Sequence, residues 1–175
     1  MRSFIEIVDI HIAEWIHLRF QNESFRSFLS TVNRGEVYAF LVIPAIFFSN
    51  SKQAWLALAF TGLVTFCTDR LVLFIKQKVF RMRPSLKVLG KPNTHPDLNH
   101  SFPSAHAANS MVVATILCFQ FEVTPLLFLL SFLAGLGRLL SLHHFLSDVL
   151  GGWMIGFGIG MIGIFIYNLF LQVFI

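Results

Sequence analysis

The sequence predicts an all-α integral membrane bundle of about five spanning helices, preceded by an N-terminal amphipathic helix lying in the interface. Two observations carry that expectation. Of the 175 residues, 55% are hydrophobic and only 13% charged, with a mean hydropathy of +0.71. So few charges cannot cover the surface of a water-soluble domain of this size, whereas a lipid-facing one needs no such cover. The apolar residues also fall into runs of helical length separated by short polar turns. One domain over residues 1–175 accommodates all of them, with no internal repeat or low-complexity tail.

Residues 4–20 read FIEIVDIHIAEWIHLRF. Ile5, Val8, Ile12, Trp15 and Ile16 recur at helical spacing, with Glu6, Asp9 and Glu14 mostly elsewhere. This pattern predicts a helix in the interface with Trp15 near the headgroups, or else one packed on the bundle. The same acidic residues and His11 interrupt any apolar core that a cleaved leader would need. The first span runs from about Ser24 to Ser49, and Asn50, Ser51 and Lys52 form a turn. The second runs from about Gln53 toward Phe80, roughly 40 Å at 1.5 Å per residue, so its end projects from the hydrocarbon. Pro84 is its expected stop.

Residues 84–103, PSLKVLGKPNTHPDLNHSFP, form the only long polar stretch. Their prolines and Gly90 predict a loop or lid on one membrane face rather than a helix. The third span extends from about Ser104 to Phe121, the fourth from about Pro125 to Leu142, and the fifth from near Ser147 past Tyr167. Gly152, Gly156 and Gly160 recur every four residues along the fifth, the spacing of close helix packing in lipid. Cys67 and Cys118 lie inside apolar runs and read as packing residues, not as a disulfide. The formal charge of +4 comes from basic residues near the expected membrane edges. That distribution favours an anionic lipid or phosphate over nucleic acid as the partner.

This span order places the end of the second span, the start of the third and the fourth–fifth junction on one face, and each carries chemically suggestive residues. Lys76 and Arg83 are seven apart, nearly two turns, so on one helix their side chains point the same way. Snorkelling cations would do as much, and Lys78 and Arg81 read as such anchors. Ser104 and His106 open a helix directly after Pro103. The unpaired N–H groups there, including that of Ala105, form a ready phosphate site, and Ser104 also serves as an N-cap. His144 and Asp148 are four apart and meet across the first turn of the fifth helix, where the carboxylate can fix the imidazole tautomer. Arg138 reaches them only if a turn intervenes between Ser141 and Leu146. Charges inside a membrane are costly and mark function more often than not. His143 has no carboxylate four residues on and reads as a structural or lid residue.

Taken together, K-x6-RP, PSAH and R-x5-H-x3-D resemble the type 2 phosphatidic acid phosphatase family, which shares its site with vanadium haloperoxidases and glucose-6-phosphatase-like enzymes. The resemblance spans residues 76–152 and ends in the family-like DVLGG at 148–152. Ala105 stands where glycine is usual, and Gly137 where serine is usual. The resemblance implies a metal-free phosphatase without a cofactor. In it, His144 is the nucleophile that forms a phosphohistidine, Asp148 orients it, and His106 is the general acid and base. Lys76, Arg83, Ser104, Ala105 and Arg138 bind the phosphate. A metal site has one sequence candidate, His95, Asp97 and His100, at a spacing that matches no recognised ligand pattern.

Small relatives of this kind are bacterial envelope enzymes acting on lipid A 1-phosphate, phosphatidylglycerophosphate, undecaprenyl pyrophosphate or phosphatidic acid. The expected partners are therefore the bilayer and a membrane lipid phosphate. Nearly all Lys and Arg fall on the active-site face, which the positive-inside rule would make cytoplasmic. The resemblance implies the periplasmic face of a bacterial inner membrane instead, with Lys76, Arg83 and Arg138 accounted for by phosphate. A non-catalytic lipid-binding scaffold would keep the basic rim without needing His144, His106 and Asp148 in register. A haloperoxidase would not need the spans.

Overall fold

The apolar runs fold as helices. The computed structural model describes residues 3–20, 22, 24, 25, 28, 35–49, 53–90 and 100–174. These form α1 (Phe4–Arg19), α2 (Gly35–Ser49), α3 (Ala54–Val79), α4 (Pro84–Leu89), α5 (Ala105–Phe119), α6 (Leu126–Leu140) and α7 (Leu146–Phe174). Among the described residues, extended pairing is limited to one isolated bridge between Met82 and His100, so the all-α expectation holds. Most of residues 24–34, the start of the first expected span, lie outside the described residues. So does the turn at Asn50, Ser51 and Lys52.

α3 and α7 are long and apolar enough to cross a membrane. α2, α5 and α6 have 15 residues each, about 22 Å of helix, and stand where the other three spans are expected, as shorter apolar helices. Non-helical residues prolong these columns. Phe121 and Val123, just past α5, are as buried as the helix interior.

α5 is the central helix. Ala107, Ala108, Val112, Ala114, Ile116 and Leu117 are all fully buried, and their neighbours come from α3, α6 and α7. α7 approaches it most closely, because Gly152, Gly156 and Gly160 face α5. A Cβ at Gly152 would stand 2.6 Å from the Ser104 carbonyl oxygen, and one at Gly160 would meet Thr115. The small-residue repeat therefore serves close packing, as its spacing predicts. Polar bridges tie α5 to two other helices: Ser110 Oγ meets Ser131 Oγ of α6 at 2.9 Å, and the hydroxyl of Tyr38 on α2 donates to the Ser110 carbonyl at 3.2 Å. The two cysteines are free, and Cys118 Sγ–H donates to the Thr124 carbonyl.

The docking of α1 is decided between its two alternatives, and two local expectations need correction. α1 packs on the bundle, the second of the two alternatives: Ala13 and Ile16 cluster with Leu142 and Phe145, while Ile5 and Trp15 are exposed. The buried face of α1 is Asp9, Ala13 and Ile16, so it carries one of the acidic residues assigned to the polar side. α3 ends at Val79, because Phe80 turns into the left-handed region at φ 49°, so Lys76 and Arg83 do not share a helix. Pro84 does more than stop α3. It is the first residue of α4, where its fixed φ suits a helix and its missing N–H has no helical partner to lose. Gly90, at φ 63°, follows the last turn of α4.

Candidate active site

The site is built around the turn between α6 and α7. Leu142 takes a left-handed conformation, φ 57°, and its apolar side chain is fully buried. That conformation costs a non-glycine residue about 1 kcal/mol. It folds the chain back so that the Arg138 carbonyl accepts the N–H groups of both His143 and His144, at 3.1 and 3.3 Å. His144 leaves the turn 3% exposed, and Asp148 sits three residues into α7, fully buried. Asp148 Oδ2 accepts the Phe145 N–H at 2.7 Å, so the carboxylate reaches back to cap its own helix. The same oxygen stands 3.9 Å from His144 Nδ1. This is within ion-pair reach but beyond a hydrogen bond.

The N-terminus of α5 is tied to that turn. The Ser104 N–H donates to the Asp148 carbonyl at 3.0 Å, and the buried Ser104 hydroxyl accepts the Ala107 N–H. Ala105 and His106 contribute the first N–H groups of the helix, which have no carbonyl one turn back to bond. The Arg138 guanidinium meets His106 Nε2. α5, α6 and α7 thus bring Ser104, Ala105, His106, Arg138, His144 and Asp148 into one place.

Lys76, in the last turn of α3, and Arg83, in the segment after it, complete the basic side. Burial holds the His144 imidazole down at about 4; the nearby Asp148 opposes that shift, and Lys76 and Arg83 add to it. Burial also lowers Arg83, with Asp148 opposing. His143 is held at about 4 by burial, then by Arg138 and Arg83, and its Nδ1 pairs with Ser141 Oγ at 2.8 Å.

Arg81 is not a snorkelling anchor. It lies half-buried between two carboxylates, donating to Asp148 Oδ1 at 2.7 Å and to Asp9. Neither Arg81 nor Asp9 was expected here. The one sequence signal is that Asp9 falls on the same helical stripe as Ala13 and Ile16, a charge on a face that packs.

An apolar cavity of about 720 Å³ opens beside this cluster. Tyr38, Asp69, His106, Asn109, Leu133 and Gly137 are among its walls, and Ala105 borders it too. Both positions that depart from the family pattern therefore line one cavity. Within it, Asn109 Nδ2 donates to Asp69 Oδ1 at 3.2 Å. Among the described residues, no three His, Cys, Asp or Glu side chains are grouped to hold a metal. Of the loop candidates, His95 and Asp97 lie outside the described residues, and His100 packs edge-on against Phe80.

Residues 53–172 match the PAP2 superfamily. No curated protein matches the chain in sequence. Among solved structures, it is similar to the crystal structure of a transmembrane PAP2-type phosphatidylglycerolphosphate phosphatase from Bacillus subtilis. The two share 22% identity and a TM-score of 0.66, over 93% of this chain and 85% of that one.

Proposed function

This chain belongs to the PAP2 superfamily, and on that premise we propose that it is a metal-independent lipid phosphatase working through a phosphohistidine at His144. The observation that carries the reading is the double position of His106. It touches Arg138 in the charged cluster and also lines the apolar cavity, so a phosphate held by the cluster could keep its lipid tail in the cavity.

The chemistry follows from the groups present. His144 is neutral near pH 7, because burial and two neighbouring cations resist its protonation. With Nδ1 toward Asp148, Nε2 is free to attack phosphorus in line. The P–N bond forms as the bond from phosphorus to the leaving oxygen breaks, and His106, which takes up a proton as the anionic phosphate binds beside it, gives that proton to the leaving oxygen. Asp148 stabilises the positive charge left on the imidazole. A water then attacks phosphorus, passing its proton to His106. The P–N bond breaks, its electron pair returns to Nε2, and inorganic phosphate leaves. Lys76, Arg83 and Arg138, with the first N–H groups of α5 and the Ser104 hydroxyl, surround the phosphoryl oxygens, the part metal ions play elsewhere.

The substrate is a membrane lipid phosphate, drawn from phosphatidylglycerophosphate, lipid A 1-phosphate, undecaprenyl pyrophosphate and phosphatidic acid. Choice among them falls to the cavity, whose walls include Ala105 and Gly137 beside His106. On this reading the enzyme is a multi-pass protein of a bacterial inner membrane, with this site toward the periplasm. Phosphate release from that panel of four lipids, wild type against His144→Ala, tests the reading. The expected result is release from at least one lipid and a loss of a thousandfold or more, on the order expected for a missing nucleophile. Near-normal rates in His144→Ala, or no release from any of the four, would remove it.

A further inference from the structure

Asp9 is 2% exposed, lies on α1 far from the reacting groups in sequence, and is used by no step above. Both of its carboxylate oxygens are bonded. Oδ1 accepts the Ser147 N–H at 3.1 Å, and Oδ2 accepts the Ser147 hydroxyl and Arg81 Nη2. Arg81 Nη1 in turn donates to Asp148 Oδ1 at 2.7 Å and to Ser147 Oγ at 2.6 Å. The guanidinium carbon lies 4.6 Å from the centre of the Phe145 ring, so its plane is held from a third side. A row of alternating charge results, Asp9, Arg81, Asp148, which ends 3.9 Å from His144 Nδ1.

We propose that Asp9 is a positioning residue for the reaction at His144, holding Arg81 so that Asp148 keeps both its orientation and its negative charge for the imidazole. The proposal rests on the phosphohistidine reading given above. Its physical basis is a competition. Asp148 faces two cations in turn, Arg81 at rest and the imidazole once phosphorus is bonded. A guanidinium set against Asp148 alone would quench the carboxylate that the imidazole needs. Asp9 takes one arm of the guanidinium, which leaves Asp148 bound through a single amino group and fixes the direction from which it is approached. The Ser147 contacts anchor Asp9 to the first turn of α7, one residue from Asp148, so the N-terminal helix becomes part of the site. A merely structural ion pair would stabilise the docking of α1 without touching turnover.

The test uses the full chain in phospholipid vesicles with the best-cleaved lipid of the four-member panel. It compares Asp9→Asn, Asp9→Glu and Ser147→Ala with wild type, with His144→Ala alongside. In Asp9→Asn, kcat falls on the order of tenfold, the usual scale for the partner of a catalytic group, with KM within about twofold. Asp9→Glu recovers part of the loss. Ser147→Ala keeps the carboxylate but loosens it, giving a smaller fall in kcat and still supplying the answer if Asp9→Asn does not fold. Wild-type kcat per folded molecule in Asp9→Asn or, if that variant is unfolded, in Ser147→Ala overturns the proposal, even with a lowered Tm. An active His144→Ala enzyme would instead remove the underlying mechanism, so the two failures are distinguishable.

Discussion

Asp148 Oδ2 stands 3.9 Å from His144 Nδ1 while the same carboxylate is bonded to the Phe145 N–H and to Arg81. The carboxylate is therefore fixed by other partners before the imidazole is charged. It has no need of His144 for its own orientation, and the pair can tighten as positive charge grows on the ring. Asp148→Asn keeps an oxygen for the Phe145 cap but removes the charge. We expect kcat to fall by about a thousandfold with KM little changed. Steady-state kinetics of that variant would refute the relay if both constants stayed near wild type.

The low value of about 4 for His144 carries a sign for stability. Unfolded, the imidazole titrates near 6.5, so between pH 6.5 and 4 the unfolded chain binds more protons than the folded one. The contribution is fully present above about 6.5 and is lost as pH falls toward 4, and His143 acts in the same direction. Thermal unfolding in detergent should show Tm falling from pH 7 to pH 4, and His144→Gln should flatten part of that fall. Parallel curves for the two proteins would show that His144 is not buried as a neutral ring.

The α5–α7 interface gives a contrast between two glycines of one helix. A Cβ at Gly152 would lie 2.6 Å from the Ser104 carbonyl and 3.0 Å from Ala107 Cβ, whereas one at Gly158 would meet nothing within 4 Å. Gly152→Ala should cost about 1–3 kcal/mol and also lower activity, because Ser104 caps the helix that presents His106. Gly158→Ala should be neutral, or stabilising by up to about 1 kcal/mol from helix propensity. Equal losses of stability in the two variants would contradict this packing.

Three cations and a helix N-terminus take the part of metal ions in the proposed reaction. EDTA should accordingly leave phosphate release unchanged, and vanadate, a phosphoryl mimic able to bond His144, should inhibit it. Strong inhibition by EDTA, reversed by an added divalent metal, would speak for a metal mechanism.

Much of this was legible in the sequence, and its limits have physical causes. The spacing of His144 and Asp148, the PSAH helix start and the glycine repeat are local features, and local spacing maps directly onto a helix face. The turn expected between Ser141 and Leu146 is also where the chain bends. The contact of Asp9 with Arg81 spans 72 residues and depends on how α1 docks, which periodicity alone does not decide. For the same reason the exposed Ile5 and Trp15 were read as part of the apolar stripe that meets the bundle or the headgroups. The seven-residue spacing puts Lys76 and Arg83 on one helix because nothing local marks Phe80 as the residue that leaves it. α4 is hidden in the sequence because a proline-rich composition masks Pro84 as a helix start.

In the proposed reaction, phosphorus is bonded to His144 during turnover. Rapid mixing of the protein with a radiolabelled lipid phosphate that it cleaves, followed by alkaline quench and peptide mapping, tests it most directly. The label is expected to survive alkali, to be lost in mild acid, to map to His144 and to be missing from His144→Ala. Turnover of the labelled lipid with no labelled protein at any time point, or a label on another residue that persists in His144→Ala, would contradict it.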